Sequence, residues 1–181
     1  ESRLRSVVFA SAVPPYMMKT PDNPEGPLTP EKAQQMKAAL EQDRNSFFDQ
    51  FAEDFFSANG VLLVTESQRG EAMALCLQSG KHAALACMDS FGTTDFRPDL
   101  PAFEGVPTLI IHGTADATVP FDATGKKAAE ALPHAQLITY DGSPHGIFET
   151  DKERFCRDVV GFLTQDQRGT TADMSASAIP L

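Results

Sequence analysis

Two residues in the C-terminal part of the chain have side chains suited to acid–base chemistry, Asp116 and His145. A histidine with an unperturbed pKa near ~6.5 can take up and return a proton at neutral pH. A carboxylate beside it would hold the imidazole in one tautomer and stabilise its protonated form, as in a nucleophilic triad. Each residue alone also fits a structural role, in which its side chain bonds loop backbone. The pair therefore has functional meaning only if the fold brings the two side chains together.

Buried strands are predicted immediately before both residues. Residues 108–111 are an unbroken apolar or β-branched run, which is typical of a strand buried on both faces of a parallel sheet. Residues 135–140 form a similar run, and residues 122–132 between them are predicted to be a helix capped by Asp122. This strand–helix–strand order predicts a parallel sheet, in which Asp116 and His145 lie at the carboxyl edge of adjacent strands and can meet.

The rest of the chain fits an α/β fold with a long helical insertion. A first strand is predicted at residues 4–13, and the last helix at residues 150–163. Four helices are predicted between the first two strands, at residues 30–41, 44–57, 65–78 and 81–91. We therefore predict a hydrolase-like core formed by residues 1–14 and 95–164, a helical cap at 15–94, and a disordered tail at 165–181.

Composition excludes several classes of partner. Lys and Arg number 15 against 25 Asp and Glu, and the resulting charge of −10 argues against nucleic-acid binding. No apolar run approaches the ~20 residues of a membrane span. Cys76, Cys87 and Cys156 are predicted to be reduced core thiols, and no pair of histidines has the spacing of a metal site. Of the remaining histidines, His112 is predicted to be structural at a strand end, whereas His82 and His134 are predicted to lie on the surface.

The sequence resembles the C-terminal part of an α/β-hydrolase, and more closely the cofactor-free haloperoxidase, perhydrolase and arylesterase branch. The resemblance rests on LRSVVFASAVPPYMMKTPDNPEG (4–26), TDFRPDLPAFEGVPTLIIHGTADATVP (94–120), ATGKKAAEALP (123–133) and GSPHG (142–146). H-G-x-x-D-x-x-V-P followed by a P-H-G loop is a specific pairing, although either motif alone is weak.

This resemblance implies that Asp116 is the triad acid and His145 the triad base. It also implies that the first strand here is the family's sixth, and that the strands at 108–111 and 135–140 are its seventh and eighth. The expected substrates are small esters or carboxylic acids, with hydrogen peroxide as an alternative to water, and no cofactor or metal is expected. A peracid made in this way could oxidise halide without an enzyme. The Phe-rich helix at 44–57 would help to line the acyl pocket.

One part of the family pattern is absent. The nucleophile belongs to a G-x-S-x-G elbow that precedes the acid and the histidine, and no such motif occurs in this sequence. The sequence also starts at Glu1 without an initiator Met. We therefore expect a C-terminal fragment of a cytoplasmic serine hydrolase, and we expect this fragment to be inactive alone. The sequence does not decide whether the full-length form begins with a signal peptide or forms a homo-oligomer. Two alternatives are a non-catalytic ligand-binding protein on the same scaffold and one subunit of a split hydrolase.

Overall fold

The computed structural model describes residues 4–175, with side chains described for residues 4–164. Its strands, in chain order, are β1 (Val7–Ala10), β2 (Ser57–Ala58), β3 (Val61–Leu62), β4 (Thr108–Gly113) and β5 (Gln136–Tyr140). Its α-helices are α1 (Pro30–Gln42), α2 (Arg44–Phe56), α3 (Glu66–Leu77), α4 (Lys81–Thr93), α5 (Gly125–Ala131), α6 (Ile147–Thr150) and α7 (Lys152–Ser175).

Strands β1, β4 and β5 form a parallel sheet in that order, as the strand–helix–strand pattern predicts. The central strand β4 is buried along its whole length, and Leu109 and Ile111 are 0% exposed. A strand that carries β-branched and apolar residues on both faces suits this position, because neighbours cover it on every side. All three strands run in one direction, so their carboxyl ends share one edge of the sheet.

Helices α1 to α4 lie between β1 and β4 in the chain and pack mainly on one another. The hydroxyl of Thr29 accepts the backbone N–H of Lys32 and caps α1, and Thr65 forms a capping box with Gln68 at the start of α3. Both N-terminal boundaries are confirmed. The two-residue strands β2 and β3 form an antiparallel hairpin after α2 that we did not predict from the sequence.

Two apolar clusters hold these elements together. One joins Leu109 and Ile111 of β4 to Tyr140 and Ile147, and residues of α7 pack against it. The other joins Met17, Met18 and Leu28 to Val119, and it is bordered by side chains of α1 and α4. Val119 follows Asp116 by three positions, so the second cluster anchors the loop that carries this acid.

The helix after β4 corrects one prediction. Asp122 does not cap it, because residues 121–123 form a 3-10 turn after Pro120 and α5 begins only at Gly125. The Asp122 carboxylate instead accepts a hydrogen bond from Lys126 at 3.0 Å.

Two predictions near the C-terminus also differ from the structure. Helix α7 continues to Ser175 through much of the stretch predicted as a disordered tail, and no proline interrupts the sequence between residues 152 and 175. Residues 176–181 lie outside the described residues. The prediction of core thiols fails for Cys87 and Cys156, which are exposed, while Cys76 is partly buried and all three are free.

His82 and His134 are exposed, as predicted. Among the described residues, none of the helices combines the length and the apolar character needed to cross a bilayer.

Candidate active site

Asp116 sits in a tight loop after β4. Its Oδ1 atom accepts the backbone N–H groups of Thr118 at 2.9 Å and Val119 at 2.7 Å, in the arrangement of an Asx turn. The side chain is 0% exposed, so these bonds replace water as its partners on one oxygen. The second oxygen, Oδ2, is left facing the neighbouring loop.

His145 lies in that neighbouring loop, between β5 and α6. Backbone bonds tie the two loops together: the N–H of Thr114 donates to Tyr140 O at 2.9 Å, and the N–H of Ala115 donates to Ser143 O at 3.1 Å. Gly142 turns the chain with φ of 71°, a conformation that glycine adopts without steric cost. Hydrogen bonds between backbone groups thus hold the two loops together independently of their side chains.

The side chains of Asp116 and His145 are in direct contact. The Nδ1 atom of His145 lies 2.7 Å from Asp116 Oδ2, which is a short distance typical of a charge-assisted hydrogen bond. The structure therefore confirms the prediction that these two side chains meet at one edge of the sheet. Burial on its own would raise the pKa of Asp116, but hydrogen bonds from His112 and His145 outweigh it and hold that pKa below its ordinary value.

The contact defines the tautomer of His145. A carboxylate that is ionised can only accept, so Nδ1 carries the hydrogen and a neutral ring has its lone pair on Nε2. Within residues 4–164 no hydrogen bond reaches Nε2, and the His145 side chain is 16% exposed. Among the described residues this nitrogen is therefore an acceptor without a hydrogen-bond partner.

Phe55 of α2 packs against the imidazole of His145. The two rings meet edge to face with centroids 4.5 Å apart, and the N–H of Gly146 donates to Phe55 O at 2.9 Å. A Cβ on Gly146 would lie 2.3 Å from Phe56 Cδ1, so glycine is required here by space. The sequence indicated an aromatic face on this helix, but nothing in it identified Phe55 as the residue beside His145.

His112 also contacts the acid. Its Nε2 atom lies 2.8 Å from Val119 O, which agrees with the predicted structural role at a strand end, and 3.2 Å from Asp116 Oδ2. The second contact was not foreseen. The four-residue spacing between His112 and Asp116 is the signal that could have indicated it, because the intervening turn folds the chain back on the end of β4.

Ser11 is the described hydroxyl at the corresponding end of β1. It is 6% exposed, has a φ of 45°, and its Oγ has no hydrogen-bond partner. It makes no bond to His145. Within residues 4–164 no serine hydroxyl contacts the free nitrogen of that histidine, and no group of three or more His, Cys, Asp or Glu side chains has the arrangement of a metal site.

The family model of the TAP-like proteins, which are α/β-hydrolases, matches residues 63–172 of this chain. The chain belongs to this family. The α/β-hydrolase fold predicted from the sequence is confirmed, and the relatives place this family member in the haloperoxidase branch.

Three relatives of this chain illustrate that branch. The non-heme chloroperoxidase CPO-A1 of Kitasatospora aureofaciens is 41% identical over 166 residues, which are 90% of this chain and 60% of the relative. The bifunctional esterase/perhydrolase DCH of Acinetobacter calcoaceticus is 36% identical, over 86% of this chain and 56% of the relative. The crystal structure of a bromoperoxidase from Bacillus anthracis is 40% identical with a TM-score of 0.86, over 91% of this chain and 59% of that chain. The chain thus spans a little under two thirds of the length of these relatives.

Proposed function

We propose that Asp116 and His145 are the acid and the base of a serine-hydrolase triad that acts on small carboxylic esters. The observation that supports this most is the 2.7 Å contact between His145 Nδ1 and Asp116 Oδ2, with Nε2 of the same ring left free. An acid–histidine pair in this arrangement is what proton transfer from a nucleophilic hydroxyl requires.

The proton path follows from the geometry. Nε2 of His145 takes the proton from a serine hydroxyl as its oxygen bonds to the acyl carbon, and then returns it to the departing alkoxide oxygen. Asp116 stays ionised throughout and stabilises the imidazolium, because its lowered pKa opposes protonation. Water then attacks the acyl-enzyme with the same histidine as base, and the carboxylic acid leaves.

The nucleophilic serine comes from polypeptide outside this sequence. The sequence has no G-x-S-x-G motif, and no described serine hydroxyl contacts His145. We infer that the serine is supplied either by a longer form of this chain, in which residues 1–181 are the C-terminal part, or by a partner subunit. The chain's coverage of 60% of the chloroperoxidase relative supports this inference.

Small acyl groups fit the surroundings of His145. The ring of Phe55 covers one side of the imidazole, and Phe148 meets Phe55 edge to face with centroids 6.1 Å apart. An apolar wall this close to the base restricts the room for an acyl chain and excludes bulk water from the bond to Asp116.

We further propose that hydrogen peroxide can replace water in the second step, as the name of the esterase/perhydrolase relative suggests for that protein. Attack by peroxide on the acyl-enzyme releases a peracid and restores the serine. The peracid then transfers one oxygen atom to bromide, so that hypobromous acid and a carboxylate form. This halide step needs no further residue of the protein.

The test compares two proteins with p-nitrophenyl acetate as substrate. The 181-residue chain alone should show no hydrolysis that depends on His145. A longer reading frame that includes an elbow serine should be active, and His145→Ala should lower its kcat/KM by about 10³-fold or more.

The matched control is His134→Ala, because His134 is exposed and bonds only Val106 O at 3.2 Å. It should leave the activity unchanged. Hydrolysis by the 181-residue chain that His145→Ala abolishes would refute the need for an outside serine. Activity of the longer protein that survives His145→Ala would refute the assignment of the base.

A further inference from the structure

The two oxygens of Asp116 have different partners. Oδ1 accepts two backbone N–H groups of its own loop, so it fixes the carboxylate to the turn. Oδ2 faces two imidazoles, His145 Nδ1 at 2.7 Å and His112 Nε2 at 3.2 Å. The mechanism described above uses the first of these imidazoles and leaves the second without a role.

The surroundings of His112 fix the position of its hydrogen. Nε2 faces two acceptors, Val119 O at 2.8 Å and Asp116 Oδ2, so it must carry the hydrogen of a neutral ring. The side chain is 0% exposed, and its Nδ1 has no hydrogen-bond partner among the described residues. His112 is thus a buried donor that faces both Asp116 and Val119, the first and last residues of one turn.

Close packing prevents this ring from moving. A Cβ added to Gly125 would lie 2.5 Å from His112 Nδ1 and 2.9 Å from its Cγ, so the backbone of α5 lies against the ring. Phe121 covers another side, with ring centroids 5.6 Å apart. The donor that faces Asp116 therefore has one position available to it.

We propose that His112 is a positioning residue: its Nε2–H donates to the Val119 carbonyl, and this fixed ring, 3.2 Å from Asp116 Oδ2, holds that oxygen toward His145. This inference rests on the proposed role of Asp116 and His145. The lowered pKa of Asp116, to which the contact with His112 contributes against the effect of burial, is consistent with it. Without this donor the carboxylate would keep its backbone bonds on Oδ1 but lose its second support on Oδ2.

A pair of amide substitutions tests the proposal in the 181-residue chain. In His112→Gln the side-chain nitrogen can reach the place of Nε2, whereas in His112→Asn it is too short to do so. With the histidines labelled with nitrogen-15, the His145 Nδ1–H resonance should persist in the Gln variant. In the Asn variant it should be lost through exchange with water.

Thr108→Val is the matched structural control. Thr108 is 2% exposed at the other end of the same strand, and its hydroxyl donates to Val106 O at 2.8 Å. This substitution removes a buried hydrogen bond without touching the site, so it should leave the His145 resonance in place. An Asn variant that is folded by circular dichroism and keeps the resonance would overturn the proposal.

A second variant covers the case in which His112→Asn does not fold. Gly125→Ala retains the imidazole but displaces it, and it should broaden or shift the His145 resonance. An unchanged resonance in this variant would also overturn the proposal. Because the resonance is measured without substrate, it is independent of the esterase assay. A failed esterase assay would leave the result on His112 valid, and a failed test of His112 would leave the esterase result valid.

Discussion

Gly113 is the residue whose size most directly controls the approach of the two loops that carry Asp116 and His145. It ends β4, and a Cβ at this position would lie 2.3 Å from Ser143 O and 2.5 Å from Pro144 O. Both atoms belong to the backbone of the loop that carries His145, so no side-chain rotation can relieve the clash. Because Cβ atoms keep at least 3.0 Å from such neighbours, Gly113→Ala must push the loop away by about 0.7 Å.

This displacement has a calculable cost. The bond from Ala115 N to Ser143 O, now 3.1 Å, would lengthen beyond hydrogen-bonding distance, and the 2.7 Å contact between His145 and Asp116 would be strained. Overpacking costs about 1–3 kcal/mol, and the weakened bonds add about 1–2 kcal/mol more. We therefore expect a loss of about 2–5 kcal/mol, or about 4–20 °C in melting temperature for a chain of this size.

Thermal unfolding followed by far-ultraviolet circular dichroism measures this effect. Gly161→Ala is the matched control, because Gly161 lies within α7 and a Cβ there would meet no atom within 4 Å. The control should gain about 1 kcal/mol from the higher helix propensity of alanine. If Gly113→Ala melts within about 2 °C of the unchanged protein, the contact between the loops is not as close as described.

Three further predictions concern the same site and its contacts with helices α2 and α3. Phe55→Leu removes the ring that meets the His145 imidazole at 4.5 Å, and urea unfolding should show a loss of about 1 kcal/mol; an unchanged midpoint would argue against this contact. Gln68→Met breaks the 2.6 Å hydrogen bond to Glu149 and the capping bond at the start of α3, so the free energy of unfolding should fall by about 1–2 kcal/mol. Equal free energies of unfolding in the variant and the unchanged protein would disprove this. Asp116 has a folded-state pKa below its ordinary value of 3.8, so its stabilising contribution is complete above that pH and is lost as the pH falls further through the folded pKa. Urea midpoints measured from about pH 5 down to about pH 2 should fall less steeply in Asp116→Asn, and identical acid limbs would contradict this assignment.

The parts of the fold that the sequence predicted are those governed by local patterns. The buried strand that becomes β4 follows from its unbroken apolar run, and the caps at Thr29 and Thr65 follow from side chains that bond the nearest backbone N–H groups. The meeting of Asp116 and His145 follows from the shared direction of parallel strands. Each of these inferences needs only residues that are close in sequence or a rule of sheet topology.

The features that the sequence did not predict depend on contacts between distant residues or on small shifts of register. The position of Phe55 against His145 joins two segments separated by 90 residues, which periodicity within α2 cannot specify. Asp122 was wrongly predicted as a cap because a 3-10 turn delays the start of α5. The exposure of Cys156 depends on which face of α7 meets the sheet, and its neighbour Phe155 is the residue that packs there.

The bond between Asp116 and His145 is tested most directly by the imidazole nitrogens of His145 at neutral pH. Nitrogen-15 spectra should show Nδ1 carrying the hydrogen and Nε2 without one, and Asp116→Ala should abolish this preference while the chain remains folded. A ring that carries its hydrogen on Nε2, or that exchanges freely between both tautomers in the unchanged protein, would contradict the assignment of these residues as an acid–base pair.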